Sequence, residues 1–439
     1  MKPYPGYKDS GIEWIGKIPK HWEIKKLKYC VKINQETLTE STDKNYGIKY
    51  IDISNVNSSG IIKLPKDMKF SESPSRARRI LKNGDIIIST VRTYLKIIAF
   101  VNLDDNNLIA STGFAVLTPT EKIYKKYLYY FALNQKIIDT ISSLSVGVSY
   151  PAINSSDLSS IFIWYPISIE EQKLIVNYLD RKTTQIDELI DKKHRLIELL
   201  KEQRAAMINR AVTKGLNPNA PMKDSGIEWL GKIPEHWEIK KLKWIINDKL
   251  KYGANEATET TDKSLPRYIR ITDFGEDGRL IDDTFKSLSY EIAKDYLLKD
   301  GDILFARSGA TVGKTFQYKD YKGIACFAGY LIKATPNPNF ILSDFLYIYT
   351  KSDAYKNWIN SVFIQATIQN IGADKYQSLF IPLPSIDEQR QITDVLKIKI
   401  NRIEKFISNI DNEIELLKEF RTALISEVVT GKVDVRDEK

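Results

Sequence analysis

Two stretches of the chain carry apolar residues in rows spaced seven apart. Between Ser385 and Thr430, Ile403, Ile410, Leu417 and Leu424 form one row, and Ile407, Ile414 and Val428 form the row beside it, interrupted at Arg421. Shifted back by 217 residues, the first row becomes Ile186, Lys193, Leu200 and Met207, and the second becomes Ile190, Ile197, Arg204 and Ala211, so the arginine break recurs. Neither stretch contains Pro or Gly before Gly215 and Gly431. Each predicts a helix of about 45 residues, a rod on the order of 65 Å. A seven-residue repeat held over three to four heptads points to a coiled coil rather than to two ordinary core helices. The expected partner of each rod is the other, running antiparallel. Ser168 with Glu171, and Ser385 with Glu388, fit capping boxes in which serine accepts an orphan N–H and glutamate reaches back to the serine N–H.

Ahead of each rod the pattern changes to short alternating or fully apolar runs bounded by turn residues. YGIKYIDIS, GDIIISTV, IIAFV and GFAVLTP read as strands in the first copy, and PRYIRITDF, GDILFAR and GYLIKAT in the second. EKIYKKYLYYFALNQKIIDTI reads as one amphipathic helix with Ile123, Tyr127, Phe131, Ile138 and Ile141 near one face, and FLYIYTKSDAYKNWINSV as its helical counterpart. The copies also share an opening phrase: KDSGIEWIGKIPKHWEIKKLKY from Lys8 returns from Lys223 with only Ile15, Lys20 and Tyr29 replaced, by Leu230, Glu235 and Trp244. SIEEQ at Ser168 returns as SIDEQ at Ser385. Two tandem copies of one unit follow. The fold class expected is α+β: two mixed α/β domains in tandem pseudo-repeat, separated by two long helices forming an antiparallel coiled coil. The expected boundaries are 1–167 and 223–384 for the domains, 168–214 and 385–431 for the helices, 215–222 for the linker and 432–439 for a tail.

Composition narrows the function. Of a net charge of +9, the first 167 residues carry +8, which suits a polyanionic partner. Cys30 and Cys326 are the only cysteines, so neither a disulfide framework nor a zinc cluster is expected. The three histidines, His21, His194 and His236, are scattered, two of them as copies within the repeated phrase. No apolar run reaches membrane-spanning length, and MKPYPGYKDSG lacks a signal-peptide core, so a cytoplasmic location is expected. SGATVGKT from Ser308 resembles a phosphate-binding loop but has one residue too few between Gly309 and Gly313. No NPPY-like tetrapeptide, nucleophile elbow or HExxH helix occurs. A non-catalytic binding protein is the expected class, with no cofactor and no metal on this chain.

Reading base edges takes Arg, Lys, Asn, Gln, Ser and Thr on loops that reach a groove, and gripping phosphate takes Lys and Arg. The first copy offers Arg76, Arg78 and Arg79, then Thr90, Arg92, Tyr94 and Lys96, then Ser149 and Tyr150. The second offers Arg267 and Arg270, then Arg307, Ser308, Thr311 and Lys314, then Gln365, Thr367 and Gln369. Two polar-tipped loops therefore fall at equivalent places in both copies. A coiled-coil scaffold without direct DNA readout is the alternative reading.

These residues resemble a known family. The phrase at 7–22, its copy at 223–237, the entry into each long helix through Pro166 to Gln172 and Pro384 to Gln389, and the closure V-T-K-G-L-N-P at 212–218 look like the specificity subunit of Type I restriction–modification enzymes. The resemblance spans essentially the whole chain. It implies that each variable part is a target recognition domain reading one half of a bipartite site on double-stranded DNA. It implies too that the paired helices set the gap and dock two methyltransferase (M) subunits. S-adenosylmethionine, ATP and Mg would belong to those partners and to the restriction/translocase (R) subunits.

Overall fold

The computed structural model describes residues 2–57, 60–63, 65, 67–147, 151–258, 260–275, 278–309, 311–364 and 370–438. The chain forms two compact units, Met1–Lys193 with Asp411–Lys439, and His194–Ile410. Each long helix, Ile169–Lys214 and Ile386–Val429, contributes one part to each unit.

In the first unit, Val31–Ile33, Phe114–Pro119, Ile86–Ser89 and Ile98–Phe100 form an antiparallel sheet in that order. A second sheet orders Asp67–Lys69, Gly47–Ile51, Leu108–Ser111 and Ala77–Ile80, with a parallel pairing of Gly47–Ile51 on Leu108–Ser111. The apolar run after Gly84-Asp85 is buried on both faces because successive side chains point opposite ways. Ile86 and Ile88 join the core beneath the helices, and Ile87 joins the core between the sheets. The second unit repeats this with Ile303 and Phe305 on one side and Leu304 and Ala306 on the other. The aspartate before each run starts the strand. Asp85 accepts the Lys82 N–H at 2.8 Å and the Thr118 hydroxyl at 2.7 Å, while Asp302 accepts from Lys299 at 2.8 Å and Thr335 at 2.6 Å.

The helical segments after the sheets are split where one helix was expected. Lys125–Ala132 and Gln135–Ser143 replace a single run, because the Asn134 side chain accepts the Lys136 N–H at 2.8 Å and starts a new helix. The counterpart divides into Ser343–Tyr349 and Asp353–Ile364, with the Ser352 hydroxyl accepting from the Tyr355 N–H at 3.2 Å.

The heptad rows form a seam in each unit. In the first, Ile186, Ile414 and Leu424 are buried and Ile190 and Leu417 are half-buried. Arg421 donates to Asp187 at 3.3 Å and Lys193 pairs with Glu413, so rising numbers on one helix meet falling numbers on the other. In the second unit Ile197, Ile403 and Ile410 are buried, Leu200, Met207 and Ile407 are half-buried, and Arg204 pairs with Glu404 at 3.2 Å. The expected antiparallel pairing is present in both. The arginines that break the rows keep their aliphatic stems at the seam and turn their heads to acidic partners on the facing helix.

The repeated phrase is a joint. In the first unit Trp22–Lys26 pairs with Phe162–Pro166, and Tyr7 donates its hydroxyl to the carbonyl of Gly431 at 3.0 Å. In the second, Glu238–Lys241 pairs with Phe380–Leu383. Gly215 and Gly431 close the two long helices at φ +73° and +70°, the left-handed conformation that ends a helix with least strain in glycine. A side chain at Gly431 would run into Pro19, and one at Gly215 would press on Trp237.

The capping boxes are half as expected. The Glu171 N–H reaches the Ser168 hydroxyl at 3.4 Å and the Glu388 N–H reaches Ser385 at 3.3 Å. The glutamate side chains do not reach back. Glu171 accepts from Trp22, His21 and Tyr4, and Glu388 accepts from Trp237 and His236. The neighbouring glutamines are fully buried: Gln172 bonds the Tyr124 N–H and the Pro166 carbonyl, and Gln389 bonds the Leu342 N–H and the Pro384 carbonyl. The E-Q pair of each helix entry thus ties helix, strand and repeated phrase together.

Candidate nucleic-acid interface

In each unit the central strand runs into a polar loop that is bridged to a second loop. In the first unit Ile86–Ser89 leads to Thr90–Lys96. Val91 bridges to Ala152, the Ile153 N–H donates to the Thr90 carbonyl at 2.9 Å, and the Thr93 and Ser145 hydroxyls bond at 2.9 Å. In the second, Ile303–Ala306 leads to Arg307–Lys314. Ser308 bridges to Asn370, and the Ile371 N–H donates to the Arg307 carbonyl at 2.8 Å. The two loops expected to act together in each copy lie side by side, in the same relation in both units.

The first loop pair presents Arg92, Tyr94 and Lys96. Arg92 and Lys96 are left-handed at φ +50° and +52°, and Tyr94 between them is 55% exposed. Non-glycine residues in this region are strained, and such strain collects at functional sites. Thr90 departs from expectation: it is buried, with its hydroxyl on the Gly113 carbonyl, and serves the loop rather than a ligand. Ser149 and Tyr150 lie outside the described residues. Arg76 is exposed and bonded to Tyr50 and Asp52, while Arg78 is half-buried, bonded to the Ser75 carbonyl and stacked on Phe70. Arg79 belongs to strand Ala77–Ile80, is half-buried, and has its basicity lowered by burial.

The second unit uses its arginines unequally. Arg267 is 2% exposed, donates to Asp282 and the Ile281 carbonyl, and lies between Phe285 and Tyr321, so the sheet core holds it away from any ligand. Arg270 is folded onto Asp273 and the Thr284 carbonyl. Lys314, expected to be free for phosphate, donates to the Phe274 carbonyl at 2.9 Å. Thr311 is exposed and Ser308 half-buried. Gln365, Thr367 and Gln369 lie outside the described residues. Arg307 stacks on Tyr252 at 4.8 Å, beside an exposed Tyr330 whose carbonyl accepts the Arg307 N–H. The segment after Gly313 is a strand, Thr315–Gln317, not the helix that a phosphate-binding loop requires.

The long helices expose a second kind of surface. Leu174, Leu189, Leu416 and Phe420 are exposed in the first unit, and Leu196, Leu199, Ile398 and Phe406 in the second. These apolar side chains stand among charged residues on the outer faces of the helices. Among the described residues no helix is long and apolar enough to cross a membrane, and no group of three His, Cys, Asp or Glu is placed to hold a metal.

Comparison with known proteins agrees with this geometry. The model of the Type I restriction modification DNA specificity domain matches residues 19–199 and again 234–416. The chain is 26% identical over 433 residues to a putative type I restriction enzyme MjaX specificity subunit of Methanocaldococcus jannaschii, covering 96% of each. It is 24% identical over 342 residues to the EcoKI specificity subunit of Escherichia coli K12, covering 71% of this chain and 68% of that one. Among solved structures, a chain from work on complex assembly and conformational transition of the type I R-M system superposes with a TM-score of 0.77 at 22% identity, over 95% of this chain and 99% of that one. The HsdS subunit from Thermoanaerobacter tengcongensis does so at 0.56 with 21% identity, over 95% and 98%. The fold and the doubled match define a DNA sequence-recognition protein without catalysis of its own. The chain belongs to the specificity (S) subunits of Type I restriction–modification systems, which work with methyltransferase subunits.

Proposed function

We propose that residues 1–167 read one half of a bipartite site on double-stranded DNA and residues 223–384 the other. The paired helices would fix the gap between half-sites and dock two methyltransferase subunits. The observation that carries this reading is the loop pair, built twice on the same strand end with different residues at its tips. Equivalent frames with unlike tips suit two half-sites of different sequence. The exposed apolar residues of the long helices support docking. Methyl transfer, with S-adenosylmethionine, and ATP-driven translocation belong to partners in this reading, and the complex works in the cytoplasm. The test is exchange of residues 30–160 for the matching segment of another specificity subunit, followed by mapping of methylated adenines in the host genome. One half-site changes and the other half-site and the gap persist; a change in both halves overturns the reading.

A further inference from the structure

We infer that Arg307 is the guanine-reading residue of the second recognition domain, an assignment that rests on the reading of the two units as half-site readers. Arg307 directly follows the central strand, and its backbone is clamped on both sides. Its N–H donates to the Tyr330 carbonyl at 3.1 Å and its carbonyl accepts from Ile371 at 2.8 Å. Its guanidinium carbon stands 4.8 Å from the centre of the Tyr252 ring. That ring is itself fixed, since the Tyr252 hydroxyl accepts the Ala373 N–H at 2.9 Å. The Nε of Arg307 is buried without an acceptor, and among the described residues no acidic side chain pairs with the guanidinium.

The other arginines expected on this surface of the unit differ. Arg267 has Asp282 and Arg270 has Asp273. Stacking holds the plane of Arg307 while leaving its two terminal NH2 groups as donors. That fork matches O6 and N7 of guanine in the major groove, and stacking on an aromatic face preorganises it. A phosphate grip needs no such fixed plane. The comparison between units points the same way. The residue at this place in the first unit is Thr90, whose carbonyl accepts from Ile153 as that of Arg307 accepts from Ile371. Thr90 turns its hydroxyl to the Gly113 carbonyl and presents no donor fork. A residue that differs between otherwise equivalent frames distinguishes two half-sites, whereas a general DNA grip would be shared.

The experiment uses the full chain assembled with its methyltransferase subunits in a restriction-deficient host, with genome-wide mapping of methylated adenines. Arg307→Ala is expected to make one G·C position degenerate in the half-site read by the second unit, with discrimination there falling about 10- to 100-fold. The other half-site and the gap stay as they were. Arg307→Lys, which keeps the charge and loses the fork, is expected to lose the same discrimination while retaining the salt dependence of binding, and it guards against a folding defect in the alanine variant. An unchanged motif overturns the assignment. So does a uniform fall in methylation at every site with a shallower salt slope, which is the signature of a phosphate contact. Exchange of residues 223–384 is run in parallel. If that exchange changes one half-site and Arg307→Ala changes none, only the role of Arg307 falls; if the exchange itself changes no half-site, the reading of the units falls.

Discussion

The indole N–H of Trp22 donates to the carboxylate of Glu171 at 3.1 Å. The partners are far apart in sequence, one in the repeated phrase and the other in the first turns of a long helix. The second copy makes the same bond between Trp237 and Glu388 at 3.0 Å. The two joints are not equally buried. The Glu171 side chain is 8% exposed and also accepts from Tyr4, whereas that of Glu388 is 25% exposed. Bonds to a buried charge are strong, and leaving their donors unpaired is expensive. Glu171→Ala is therefore expected to destabilise the chain by about 3 kcal/mol, and Glu388→Ala by about 1–2 kcal/mol, since water reaches the second site. Urea unfolding of the two variants measures the difference; equal losses would show that burial at the first joint adds nothing.

The seam and the exposed helix residues should separate stability from assembly. Ile414 is 2% exposed in the seam, so Ile414→Ala is expected to cost about 2–4 kcal/mol. Leu189 and Phe420 each precede a seam position and are 42% and 51% exposed. The pair Leu189→Ser with Phe420→Ser is expected to alter stability by no more than about 1 kcal/mol. It should weaken binding of the methyltransferase subunit by roughly tenfold or more, since a buried apolar anchor contributes that much at an interface. Thermal melting of the chain and a titration with the methyltransferase subunit read the two effects separately.

What sequence revealed and what it hid follow from the range of each interaction. The seam in each unit was legible because a coiled coil writes one contact rule into every heptad. The doubled architecture was legible because the joint is used twice. Glu171 was misassigned because a capping box looks three residues away, while its acceptor role is set by Trp22, brought in by a strand pairing with Phe162–Pro166. Arg267 and Arg307 look alike in a string of letters. Parallel pairing of Arg267–Ile269 with Ala325–Phe327 buries the first, while the second follows the end of a strand and is only half-buried. The break at Asn134 was hidden because the apolar face continues on both sides of it.

Lys351 gives a dependence on pH. It lies in the second unit, where its ammonium donates to the carbonyl and hydroxyl of Thr315, both at 3.0 Å, and sits 4.4 Å from the Tyr347 ring centre. Burial, with the charge of Lys314 nearby, brings its pKa down to about 8. Between that value and about 10.4, the ordinary value for lysine, the unfolded chain binds the proton and the folded chain does not. Stability rises with pH wherever the unfolded state holds more protons. The contribution of Lys351 should therefore increase from about pH 8 to about pH 10.4 and be flat below that window. Unfolding of the native chain against Lys351→Met across this range isolates it; a difference that does not change with pH would contradict the burial of the amine.

Lys96 sets local strain against ligand binding. It is exposed, at φ +52°, on the loop that follows the central strand of the more basic copy. A lysine in the left-handed region carries a penalty of about 1–2 kcal/mol that glycine avoids, partly offset by the greater freedom glycine has when unfolded. Lys96→Gly is expected to leave stability unchanged or to raise it by up to about 1 kcal/mol. If the loop meets phosphate, the same variant should bind duplex DNA of unrelated sequence more weakly, with the slope of log affinity against log salt reduced by about 1. A merely structural lysine could give the first effect without the second. The measurement is a salt series of duplex titrations on the complex reconstituted with methyltransferase subunits, alongside a thermal melt. Greater stability with an undiminished salt slope would remove Lys96 from the DNA surface and leave its strain without a purpose in binding.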